Sequence, residues 1–86
     1  MIDLTTLPEF QCHKKVRAFK IVSIVGSTIK TAWNLVDVAG DYHEVSHDWF
    51  LKHSPKAGGY FVVYEDGFES FSPAKAFEEG YTEVPA

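Results

Sequence analysis

An Asp66-Gly67 dipeptide stands between two apolar runs, "YFVVYE" (60–65) and "FESF" (68–71). Such a pair between β-branched and aromatic residues is among the strongest local signals for a two-residue type I′ hairpin. Closure over two residues predicts pairing of Glu65 with Phe68, Tyr64 with Glu69, Val63 with Ser70 and Val62 with Phe71. One face of the hairpin then carries Tyr60, Val62, Tyr64 and Phe71, and the other carries Phe61, Val63 and Phe68. Both faces are apolar and both need cover. That need constrains everything else a chain of 86 residues can do.

Some of the cover follows at once in "SPAKAFEEGY" (72–81), which has helix start and stop signals in the expected order. Ser72 is placed to accept from free amides as N-cap, Pro73 suits the first helical position, and Gly80 suits the left-handed position beyond the end. The predicted helix runs from Pro73 to Glu79. Two turns are too few to stand alone in water, so Phe77 must dock it on the sheet. Glu78 and Glu79 at its C-terminal end oppose the helix dipole. Nothing local accounts for them, and they read as a solvated acidic end or as groups facing a basic partner.

The remaining elements are shorter. "KVRAFKIVSIV" (15–25) reads as a strand, but Val16 and Ala18 share one face while Phe19 and Ile21 share the other. A bend or bulge near Phe19-Lys20 would reconcile the two halves. After a turn at Gly26-Ser27, "TIKTAWNLVDV" returns with Ile29, Thr31, Trp33 and Leu35 on one face, and "AGDY" turns again into a short strand over 42–46. "HDWFLKH" reads as a helical turn ended by Ser54-Pro55. Residues 1–11 form an N-terminal arm pinned by Leu4, Leu7 and Phe10. The class expected is α+β: a small, strongly bent antiparallel β-sheet, or a partly open SH3-like barrel, with a short C-terminal helix, in a single domain spanning 1–86.

A domain this size buries only about 60–65% of the surface its unfolded chain exposes, so the core is thin. With Tyr60, Tyr64, Trp49 and Phe71 in search of cover, the sequence predicts a homo-oligomer, a two-fold dimer first, with the arm folding across that face as the alternative. The chain carries a net charge of −4, and residues 44–86 hold eight acidic side chains against three lysines. An acidic surface disfavours general binding of duplex nucleic acid. Only "HKKVR" (13–17) is locally basic; it reads as a solvated strand edge, or as an anion contact through Lys14 and Arg17. No apolar run approaches the roughly 20 residues of a membrane span, and the N-terminus lacks the features of a leader. The lone Cys12 fits a reducing compartment, and the expected location is cytoplasmic.

"HEVSHDWFLKH" matches the zinc-protease pattern H-E-x-x-H at His43, Glu44 and His47, with His53 where a third ligand could fall. That chemistry needs a helix, which puts two histidines one turn apart beside a glutamate that activates water. The segment instead follows a Gly-Asp turn, contains β-branched Val45, and has Phe50 where the longer pattern has a glycine. A chance match in a strand and turn is the better account. Phosphate-loop, dinucleotide, C-x-x-C and G-x-S-x-G signatures are absent from the sequence. The expectation is therefore no enzyme, no catalytic residue, no metal and no cofactor.

The segment "GGYFVVYEDGFESFSPAKAFEEGYT", with "CHKKVRAFKI" near the start, resembles a group of small tailed-bacteriophage proteins of unassigned function. Members of that group are similar in their Gly-Gly-Tyr strand, Glu-Asp-Gly hairpin, Ser-Pro-Ala helix and closing Gly-Tyr-Thr. The match is close over 49–82 and loose over 12–25. The resemblance implies a phage accessory protein that binds a component of the infected host's cytoplasm, most concretely an anti-defence inhibitor acting by occlusion. Two alternatives stand beside it: a sponge for a small signalling nucleotide, and a structural or assembly protein of the virion. Candidate contact residues under these readings are Lys14, Arg17, Trp49, Tyr60, Tyr64, Glu78 and Glu79.

Overall fold

The computed structural model describes residues 1–11, 15–28 and 31–83. Eight strands and two helices follow one another as β1 (Glu9–Gln11), β2 (Lys15–Lys20), β3 (Ser23–Gly26), β4 (Ala32–Val36), β5 (Tyr42–Ser46), α1 (His47–His53), β6 (Tyr60–Tyr64), β7 (Glu69–Ser72), α2 (Ala74–Gly80) and β8 (Thr82–Glu83). They form two antiparallel sheets, a five-stranded one in the order β7-β6-β2-β1-β8 and a three-stranded one in the order β3-β4-β5. The sheets do not close into a barrel. A bent pair of small sheets is the form taken.

The two-faced apolar pattern of β2 and β6 has a direct cause. Val16, Ala18 and Val62 pack with Phe77 of α2 in one core, while Phe19, Ile21 and Phe61 pack with Leu35 and Val45 in another, between the sheets. The five-stranded sheet is thus apolar on both sides because it separates two cores. No bulge near Phe19-Lys20 is needed: β2 pairs with β6 without interruption from Val16 opposite Tyr64 to Lys20 opposite Tyr60. The break comes one step later. Ile21 still bonds Gly58 and Gly59, whereas the Val22 amide already donates to Val36 O at 2.8 Å, so the chain changes sheets between adjacent residues.

The hairpin also differs from expectation by one residue. Val62 lies opposite Ser70 and Phe61 opposite Phe71, which leaves a loop of three residues, 65–67, instead of two. The Gly67 amide donates to Tyr64 O at 2.9 Å, and Asp66 Oδ1 accepts from the Phe68 amide at 3.0 Å. Within the loop only Gly67 has a positive φ, +88°, as in a type I turn followed by a left-handed bulge residue. The shift carries Phe71 to the Phe61 side, into the core between the sheets. Valine at Gly67 should cost about 1–2 kcal/mol, because a Cβ there meets the left-handed penalty. A melting curve lowered by several degrees checks this, and an unchanged midpoint contradicts the turn assignment.

The C-terminal helix forms where expected but is capped differently. Pro73 occupies the N-cap position without a side-chain cap, and Tyr81 rather than a left-handed Gly80 follows the last turn. Phe77 docks the helix as predicted and is 1% exposed. The arm is more than a cover: Ile2 and Leu7 are buried between the sheets, and its end forms β1, paired with both β2 and β8. Tyr60 and Tyr64 lie under α2 with Phe10 and Tyr81. Part of the sheet face for which the sequence suggested a second subunit is covered within the chain, where Phe77 of α2 stacks on Tyr60 and meets Phe10 edge-on. Among the described residues no helix is long and apolar enough to cross a membrane.

Candidate functional site

Strand β6 and helix α2 bring Tyr60 and Glu78 together. The Tyr60 ring stacks on Phe77 with centroids 4.2 Å apart, and its hydroxyl donates to Glu78 Oε2 at 2.8 Å. Lys20 Nζ lies 3.7 Å from the same carboxylate oxygen. This answers the question left by two acids at a helix C-terminus: Glu78 is fixed by partners from β6 and β2, which no reading of local sequence could supply. Glu79 is exposed beside it. Burial, and then the hydrogen bond and charge of Glu78, push the Tyr60 phenol above its ordinary pKa. In an ultraviolet titration Glu78→Gln should make one phenol ionise earlier than it does in the parent. Coincident titration in both proteins would contradict the contact.

Arg17 and Tyr64 also meet, around a hollow of about 160 Å³ between β2, β6 and β1. Lys14, the other half of the expected anion contact, lies outside the described residues. The hollow is lined by Lys15 and Arg17 but equally by Glu9 and Glu65. Arg17 is engaged already: Nη1 donates to Leu7 O, and Nη2 lies 3.8 Å from Glu9 Oε1, which pins the arm. Ligand pockets usually measure about 300–1,000 Å³, and two carboxylates oppose a phosphate. The geometry suits a surface dimple better than a nucleotide site.

The histidine motif divides between two elements. His43 lies in β5 and points inward, 13% exposed, with its ring 4.7 Å from Phe61 and Nε2 3.5 Å from Glu69 Oε1. Glu44 points the other way and accepts from the Ser27 hydroxyl at 2.8 Å. His47 opens α1, and its Nδ1 accepts from Trp33 Nε1 at 3.1 Å. These three side chains share no helical face, which is what water activation at zinc would require. Among the described residues, no three His, Cys, Asp or Glu side chains are grouped so as to hold a metal ion.

Trp49, also a candidate contact residue, serves the fold. Its indole N–H donates to Glu69 O at 3.0 Å and its ring packs between Phe61 and His53, tying α1 to the edge strand β7. The larger concavity lies just beyond. The end of α1, the loop over 54–59, β7 and the start of α2 enclose a cleft of about 580 Å³. Its lining is mostly apolar, with the Phe71 ring laid against Gly59, whose missing side chain is what admits the ring. His53 stands on one wall, its pKa held below the ordinary value by burial and then by Lys52. The sequence signal for this cleft is the Gly58-Gly59 pair ahead of an aromatic strand, which permits a close approach.

No protein-family model and no curated protein matches this sequence. Among solved structures, the NMR solution structure of the monomeric form of the phage L decoration protein shares the fold. It superposes on 90% of this chain with a TM-score of 0.67 at 22% sequence identity. The chain spans 59% of the length of that protein. At such identity the likeness is one of fold.

Proposed function

We propose that this chain is a structural component of a phage particle, a decoration protein that binds the assembled shell. The observation that carries this reading is the fold shared with the phage L decoration protein over nine-tenths of the chain. The resemblance of residues 58–82 to small phage proteins supports the same origin. In this reading the protein is no enzyme and needs no cofactor: it acts by occupying a surface, with rigid two-core packing in place of chemistry. Of the three functions compatible with the sequence, the virion alternative thus moves ahead of the occluding inhibitor. The nucleotide sponge gains no support from the hollow beside Arg17, which is small and lined by Glu9 and Glu65 as well.

The test compares phage particles that carry the intact reading frame with particles in which it is interrupted. Interrupted particles should still assemble, lose infectivity faster on heating, and regain resistance when the purified protein is added to them. Equal heat survival, no rebinding, and a growth defect confined to hosts with a particular defence system would sink this reading in favour of the inhibitor.

A further inference from the structure

The lining of the cleft between α1 and α2 holds a lysine and no carboxylate, whereas the hollow beside Arg17 is lined by Glu9 and Glu65 as well. Residues 44–86 contain three lysines: Lys56 lines the cleft, and Lys52 and Lys75 are exposed one residue along the chain from its lining residues His53 and Ala74. None of the eight acidic residues of that half lines it. Lys52 leans over the Phe68 ring at 6.0 Å. Among the described residues, Lys56 and Lys75 have no carboxylate within 4.0 Å, whereas Lys20 and Arg17 each have one. The cleft thus combines a mostly apolar lining with a lysine and no carboxylate.

We propose that this cleft docks a short acidic and apolar segment of a partner protein. The floor of Gly58, Gly59 and Phe71, with Pro73 on one wall, accepts an aliphatic or aromatic side chain, and a volume of about 580 Å³ accommodates one or two of them. Carboxylates on flanking residues of the segment then reach Lys56 and Lys75. Each rim pair contributes little by itself, so the apolar anchor supplies affinity and the lysines supply selection for acidic segments. Nucleic acid is a poorer occupant: it needs a basic track along its backbone, and the lining here offers a single lysine on a molecule of net charge −4. The inference concerns the surface alone and does not depend on the partner being a shell protein.

The probe is an eight-residue capped peptide alternating glutamate with leucine and phenylalanine, added to isotope-labelled full-length protein and followed by amide chemical shifts. Three controls accompany it: a glutamine counterpart, a lysine counterpart and an oligothymidylate. The acidic peptide should shift the amides of Ser54, Gly58, Gly59 and Ala74, and bind at least fivefold more tightly than the glutamine form. The double variant Lys56→Glu, Lys75→Glu should lose about tenfold in affinity while melting as the parent does, since both side chains are exposed. No localised shift at millimolar peptide, equal response to the glutamine form, or tighter binding of the oligothymidylate would each overturn the proposal.

Discussion

Replacing Phe61 with alanine is expected to abolish most of the protein's stability. Phe61 is fully buried where the two sheets meet, with Phe19, His43 and Trp49 against its ring. Truncating a buried phenylalanine costs about 3–5 kcal/mol, through lost transfer energy and the cavity left behind. A chain of this length has about 4–13 kcal/mol to lose. The variant should melt more than about 10 °C below the parent, or fail to show a cooperative transition at all. Phe68→Ala is the control: Phe68 is 48% exposed at the hairpin tip, and its loss should cost no more than about 1 kcal/mol. Similar losses for the two variants would mean that Phe61 does not hold the sheets together.

Valine at Gly59 should be nearly as damaging, for the opposite reason. A Cβ at this position would stand 2.4 Å from two atoms of the Phe71 ring and 2.9 Å from Ser72 O. The ring has some room to swing, but the carbonyl belongs to β7, and moving it breaks the pairing of Tyr60 with Ser72. Overpacking of this kind costs roughly 1–3 kcal/mol, and backbone obstruction places the change at the upper end or beyond. Gly59→Ala combined with Phe71→Leu should recover only part of the loss, because the carbonyl remains. Full recovery in a double-mutant cycle would show that the ring alone sets the limit.

The two sites differ in how far the sequence revealed them. Alternating apolar residues in 60–64 and 68–71 and the pattern around Phe77 led to the hairpin and the docked helix, since both depend on chemistry within a few residues. The register of that hairpin did not follow, because Asp-Gly suits both two-residue and three-residue loops. The choice is made by Asp66 accepting from the Phe68 amide and by pairing further along β6. β2 misled for a related reason. A strand with a core on each face looks like one whose alternation slips, and the second core exists only because β3, β4 and β5 fold back over it.

Long-range pairing explains the rest. Glu78 looked unfavourable at a helix end, and is held there by Tyr60 and Lys20 from strands far away in sequence. Arg17 and Trp49, candidates for partner contact in the sequence, also bond the Leu7 and Glu69 carbonyls, partners that no local reading supplies. The α1–α2 cleft is assembled from three separate segments, 53–59, 71 and 73–74, so no window of sequence contains it. Lys56 lines it, a position that nothing local in the sequence marks and that emerges with the fold.

The central claim, that the protein belongs to a phage particle, is tested most directly by counting it there. Particles from a phage encoding the chain would be purified on a density gradient, washed in high salt, and their proteins quantified by mass spectrometry against labelled standards. The account predicts a fixed ratio of this chain to the major shell protein across preparations, with the chain banding where the particles band. Its confinement to the soluble fractions at the top of the gradient, with none retained on full particles, would contradict it.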